Sequence, residues 1–185
     1  ETGVTLMYMA EELDAGDILT QHTVPIGESD TAGTMHDKLS EAGAELLRTS
    51  LPAILDGKIT PKQQDERLAT YAPNIQRADE RIDWTQSATA IFNQIRGLNP
   101  WPVAFTTLSN KPFKIWEARV ADSRDVSKTP GTITRHDDTE MFVATGRGTL
   151  QLLRVQPAGK KPMSVPQFLR GNAIKNGTRL GETDE

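Results

Sequence analysis

Residues 3–19, GVTLMYMAEELDAGDIL, constrain the fold more than any other stretch of the chain. Val4, Leu6 and Tyr8 alternate with Thr5, Met7 and Met9, and both sets are mostly apolar. A strand that is apolar on both phases is one covered on both faces, as in an α/β sheet. Residues 10–15 break the pattern, and Gly16 supplies backbone freedom for a turn. Residues 18–26, ILTQHTVPI, then alternate like a half-buried strand that Pro25 closes at an edge. Two strands and their turn therefore form a β-turn-β unit. Asp14 sits at its bend, where a strand hands over to a loop, and such positions often carry chemistry.

The next pattern has a helical period. Asp30 or Thr31 can cap a helix in which Met35, Leu39, Ala42, Leu46 and Leu47 share one face. Pro52 starts or kinks a further turn through Leu55, and Gly57 stops it. Residues 58–76 are polar, contain Pro61 and Pro73, and show no period, which is the signature of a linker. The domain division expected is therefore 1–57, a linker over 58–76, and a second domain over 77–185.

In that second domain Ser87 can cap a helix carrying Ile91, Phe92, Ile95 and Leu98. Its expected end is Asn99, because Pro100 and Pro102 forbid continuation. Short strands are expected at 103–108, 113–121, 131–135, 141–144 and 150–155, with Asn110-Lys111 and Asp137-Asp138 turns between them. Five such strands suggest a small OB-like β-barrel. A closing helix runs from Ser164 as N-cap through Pro166, Phe168 and Leu169 to Gly171. The tail from Arg179 reads as polar and frayed. Trp84, Trp101 and Trp116 lie among apolar neighbours and suit core packing, with base-stacking platforms as the alternative.

Composition narrows the function classes. The 185 residues suit one to two domains. No apolar run approaches 18 residues, so no transmembrane helix is expected. The absence of Cys rules out a disulfide framework and a thiolate metal site, and it suits a cytoplasmic protein. The chain starts Glu1-Thr2-Gly3 without Met and enters a strand at once, as the C-terminal piece of a longer protein would. Net charge of −4 hides an asymmetry. Residues 1–76 carry 5 Lys/Arg against 13 Asp/Glu, and residues 77–185 carry 16 against 12, so the halves stand at −8 and +4. A basic second half suits contact with a polyanion, although ordinary surface scatter gives the same sums.

Few residues are placed for chemistry. A carboxylate on a Gly turn at a strand end can be held rigidly and partly desolvated, which suits Asp14 as a general base. Its neighbours Glu11, Glu12 and Asp17 add like charge, yet Asp-x-Gly is also an ordinary turn motif. His22, His36 and His136 form no metal-site spacing and read as surface or packing residues. No metal site is expected. No GxSxG, P-loop or GxGxxG sequence occurs. Lys160 and Lys161, in QPAGKKPM, stand on a Gly/Pro-restrained loop that presents ammonium groups to phosphates at low entropy cost. Lys111, Lys114, Arg170, Lys175 and Arg179 could extend that basic surface.

Taken together, GVTLMYMAEELDAGDIL, RIDWTQSA, LNPWPVAF and LQLLRVQPAGKKPMS resemble the methionyl-tRNA formyltransferase family over nearly the whole chain. The resemblance implies an α/β remnant, the C-terminal end of a Rossmann-like formyltransferase domain, followed by the OB-like domain. It implies a parent enzyme that moves a formyl group from 10-formyltetrahydrofolate to the amine of methionyl-initiator tRNA. In that family the reaction uses an Asn, a His from an H-P-S-L-L-P segment and the Asp of L-D-x-G-D, which matches Asp14. Glu11, Glu12, Leu13 and Asp14 would lie beside the pterin ring of the folate. The basic residues Lys111, Lys114, Lys160, Lys161, Arg170, Lys175 and Arg179 would meet tRNA. The Asn and the H-P-S-L-L-P segment are not in this sequence, so the chain is expected to be inactive alone, and monomeric. The alternatives are another folate-dependent formyltransferase or hydrolase, and a non-catalytic OB-fold module that binds nucleic acid.

Overall fold

The computed structural model describes residues 1–122, 128–137 and 139–182. The chain divides into two compact units, Glu1–Asn74 and Ile75–Glu185. Asp138, expected in a turn, lies outside the described residues.

In the first unit, β1 (Thr2–Met7) pairs antiparallel with β2 (Ile18–Val24), with a register shift at Leu6/Met7. Both strands pack against α1 (Ala32–Leu55), which runs unbroken through Pro52 where a kink or fresh start was expected. A proline near the end of a helix removes one hydrogen bond and is tolerated when the last turn closes otherwise. Here the N–H of Asp56 bonds the Pro52 carbonyl at 3.0 Å. Thr31 is the N-cap, in a reciprocal capping box with Thr34. Asp30, buried just before it, accepts from Lys38 Nζ (2.7 and 2.8 Å), the Gly27 N–H (2.7 Å) and the Thr34 hydroxyl (3.0 Å). These donors, Lys38 foremost, hold its carboxyl at about 2, below the ordinary carboxylate range.

The expected linker is only partly one. Ile18 and Lys62 exchange two backbone hydrogen bonds of 2.8 Å, so the chain just after α1 returns to the start of β2. A short 3-10 turn follows at Glu66–Leu68, capped by Asp65.

The second unit is organised around one antiparallel sheet. Its strands are β3 (Phe105–Leu108), β4 (Lys111–Asp122), β5 (Ile133–His136), β6 (Met141–Ala144), β7 (Thr149–Pro157) and β8 (Met163–Ser164). The order is β3-β4-β7-β6-β5, with β8 pairing β7 off this path. His136 ends β5. The helix α2 (Ala88–Gly97) is capped by Ser87 and stops two residues before Asn99, with Leu98 as C-cap. The closing helix α3 (Val165–Gly171) starts at Ser164, whose hydroxyl accepts from Gln167 in a second capping box. Ile91 and Ile95 of α2, Phe168 of α3, and Phe113, Ile115, Val143, Leu150, Leu152 and Val155 of the sheet fill one core. Each such burial contributes roughly 1.5–3 kcal/mol.

The sheet is curled but its ladder is open, because no pairing joins β3 to β5 among the described residues. Of the OB-like barrel expected, the pairing gives a curled, open half-barrel. The C-terminal segment occupies the opening instead. Thr178 and Gly177 bond Ile133, and Leu180 bonds Gly131, on the β5 side. Gly181 N–H then bonds the Thr107 carbonyl of β3 at 2.9 Å, and the Thr107 hydroxyl donates to the Glu182 carbonyl at 2.8 Å. This corrects the frayed tail: Leu180 is only 2% exposed. The polar residues around it hid one apolar anchor and a run of backbone groups with partners on two strands. Gly131 is required at this junction, since its φ is +86° and a Cβ there would lie 2.6 Å from the Leu180 carbonyl.

No described helix is long and apolar enough to cross a membrane.

Candidate functional site

Two places gather the residues of interest, one in each unit. The first is the loop over residues 8–17 between β1 and β2. It is tied at its base, where the Tyr8 N–H bonds the Asp17 carbonyl at 3.0 Å. Gln64 clamps its tip: Nε2 donates to the carbonyls of Asp14 and Gly16, both at 2.7 Å. Gly16 is needed here for space, because a Cβ would lie 1.7 Å from the Tyr8 carbonyl. The left-handed turn itself falls on Asp14, at φ 57°, a conformation that Asp tolerates better than most residues.

Backbone anchoring leaves the side chains outward. Glu11, Glu12, Leu13 and Asp14 are all exposed, Leu13 at 97%. The partial desolvation expected of Asp14 is thus absent in this unit, because the loop has the clamp beneath it and no covering element above. The arrangement offers a carboxylate on a fixed backbone beside an exposed apolar side chain. Gln64 carried no signal in the sequence, since a clamp 50 residues from its target has no local pattern.

The second place is one face of the sheet in unit 2. Lys114 on β4 lies opposite Gln156 on β7. Trp116 donates from Nε1 to Gln156 Oε1 at 2.9 Å, and Gln156 Nε2 donates to the Lys160 carbonyl at 2.8 Å. One glutamine thus joins the sheet to the Lys160-Lys161 loop. The turn over residues 98–103 docks on the same strand. Asn99 Nδ2 donates to the Trp116 carbonyl at 2.7 Å, and Lys114 Nζ donates to the Pro102 carbonyl at 3.2 Å. Arg154 stands 5.8 Å over the Trp116 ring. Lys160 and Lys161 are exposed and make no ion pair among the described residues.

The three tryptophans separate. Trp84 is buried, its Nε1 donating to the Thr106 hydroxyl at 3.0 Å. Trp116 is half-buried under Arg154. Trp101 is 80% exposed, against the core packing expected of it. The prolines flanking Trp101 were the available signal, since they hold a surface turn in which an inward side chain has no strand or helix to carry it.

The remaining basic residues do not join this face. Lys111 begins β4 at the β3–β4 turn. Arg170 lies on α3 and bonds the Pro166 carbonyl at 3.3 Å. Lys175 is exposed in the segment after α3. Arg179 sits on the closing segment, with the Pro130 carbonyl at 3.3 Å and Glu182 at 3.4 Å. No group of three or more His, Asp or Glu residues is placed to hold a metal among the described residues. His22 and His36 are exposed, His36 beside Asp37 at 3.3 Å.

Family models match both units. The model described as formyl transferase, C-terminal domain, covers residues 74–173, and the model described as formyl transferase covers residues 1–51. A relative from Bacillus licheniformis, named methionyl-tRNA formyltransferase, is 50% identical across all of this chain and 58% of its own length. One of the same name from Listeria welshimeri is 55% identical over 98% of the chain and 59% of its own length. The chain thus spans somewhat over half the length of the curated relatives it matches. Among solved structures, HypX from Aquifex aeolicus in complex with tetrahydrofolic acid matches with a TM-score of 0.66 at 21% identity, covering 90% of this chain and 29% of that one. A sugar 3N-formyl transferase, WlaRD, matches at a TM-score of 0.61 and 20% identity, covering 86% and 56%. These two likenesses speak for the fold.

Proposed function

The chain belongs to the formyl transferase family, and from that membership we propose that it is part of a cytoplasmic, monomeric methionyl-tRNA formyltransferase. The proposed reaction moves a formyl group from 10-formyltetrahydrofolate, a substrate, to the amine of methionyl-initiator tRNA. The observation that carries this reading is half-identity along the whole chain to relatives of that name.

In this reading the first unit supplies Asp14. The α-amine nitrogen attacks the formyl carbon, and the bond from that carbon to N10 of the folate breaks. The oxyanion formed on the way needs donors, which the family's Asn and His would provide. Asp14 favours the charged form of that His and takes the amine proton through water, which ends on N10. The Gln64 clamp and the close packing at Gly16 support this role, because they fix the backbone of Asp14 while leaving its carboxylate open. Glu11, Glu12 and Leu13 would border the pterin.

The second unit would hold tRNA through an OB-like curled sheet. Lys114, Lys160 and Lys161 would lead, and Lys111, Arg170, Lys175 and Arg179 would add charge from other parts of the unit. The test is a titration of the 185-residue chain with labelled initiator tRNA at rising salt. Binding is expected at low salt, with log affinity falling linearly in log salt. No binding at low salt would refute the reading of this unit.

A further inference from the structure

We propose that Trp101 is a stacking platform on which the second unit seats an unpaired base of its RNA substrate. The proposal deepens the tRNA reading above and rests on it.

Three observations converge on this side chain. The first is exposure: Trp101 is 80% exposed, while Trp84, in the same unit, is buried. The second is fixation. The Val103 N–H bonds the Leu98 carbonyl at 2.9 Å and closes the turn that carries Trp101. Val103 is itself 3% exposed at φ 75°, so its packing holds the end of the turn in a strained backbone conformation. Asn99 and Lys114 tie both limbs of the turn to the sheet. The backbone that carries the ring is thus held before binding, which confines the ordering cost to the side chain.

The third observation is charge. Lys114 touches the turn directly, and the Trp116–Gln156 bridge joins it to the Lys160-Lys161 loop. Residues 77–185 carry a net +4. An exposed ring on a turn tied down by one Lys, in a unit whose Lys160-Lys161 loop is linked to the same strand, suits an unstacked base, the ring meeting the base and the cations the nearby phosphates. A protein partner would leave the cations unexplained, and a duplex would leave the ring unexplained. The structure therefore favours RNA with at least one base out of its stack.

The test measures anisotropy of fluorescein-labelled initiator tRNA, and separately of a blunt RNA duplex, with the 185-residue chain and three variants. Trp101→Ala is expected to weaken tRNA binding by about 5- to 100-fold without changing the salt slope, because stacking releases no counterions. Trp101→Phe should restore most of the affinity. Lys160→Gln with Lys161→Gln should instead make the salt slope shallower. The duplex should not distinguish Trp101→Ala from the parent chain. Since the side chain is largely in solvent, melting curves of the Trp101 variants should match the parent. Unchanged tRNA affinity in Trp101→Ala, with the Lys variant still impaired, would overturn the stacking proposal and leave the tRNA reading standing. Equal losses on tRNA and duplex would also overturn it. Failure of the parent chain to bind tRNA at all would overturn both.

Discussion

Asp30 and Thr106 show how single residues hold each unit. The Asp30 carboxyl is held at about 2, against an ordinary 3.8, chiefly by Lys38. A carboxyl depressed in the folded state stabilises it above the unfolded value and ceases to do so as pH falls towards the folded one. The first unit should therefore lose stability as pH drops from about 4 to about 2, and Asp30→Asn should flatten that dependence. Far-UV melting of both chains across the range checks this. In the second unit Thr106 is fully buried and its hydroxyl is the partner of Trp84 Nε1. Replacing Thr106→Val strands a buried indole N–H and should cost about 1–3 kcal/mol in urea unfolding followed by Trp fluorescence. A cost near zero would mean the indole finds another acceptor.

At the scale of elements, local chemistry made the helices legible and left the closures hidden. Ser87 and Ser164 cap the helices they were expected to cap, because a side-chain oxygen and an N–H three residues on are neighbours in sequence. The strand over residues 141–144 was expected as it stands, since a short apolar run between polar turns needs no distant information. The closing segment had no such signal. Its hydrogen bonds run to residues some 45 and 74 positions away, and its one apolar anchor, Leu180, sits among polar neighbours. Leu180→Ala should lower the stability of the second unit by about 2–5 kcal/mol, the range for a buried Leu. A loss under about 0.5 kcal/mol, the size of an ordinary surface change, would show that the segment does not carry the sheet's opening.

For the whole molecule, the proposed chemistry and the proposed binding fall to different units. Asp14 stands on an exposed loop, and neither the Asn nor the H-P-S-L-L-P segment of the resembling family occurs in the 185 residues. The chain by itself should give no formylated methionyl-tRNA when supplied with 10-formyltetrahydrofolate, as acid-gel separation of the product would show. Detectable product would mean that Asp14 acts without those partners. The sequence by itself determined the helices, most strands, the charge asymmetry and the motifs that place the chain in its family. These follow from periodicity, capping and residue order, which are properties of neighbours along the chain. Only the tertiary structure decided that Asp14 is held through its backbone by Gln64. It also decided that Trp101 faces solvent beside Lys114, and that the tail bridges the two edges of an open sheet. Each depends on groups far apart in sequence competing for the same donors, acceptors and buried volume, and that competition is settled only when the chain is packed.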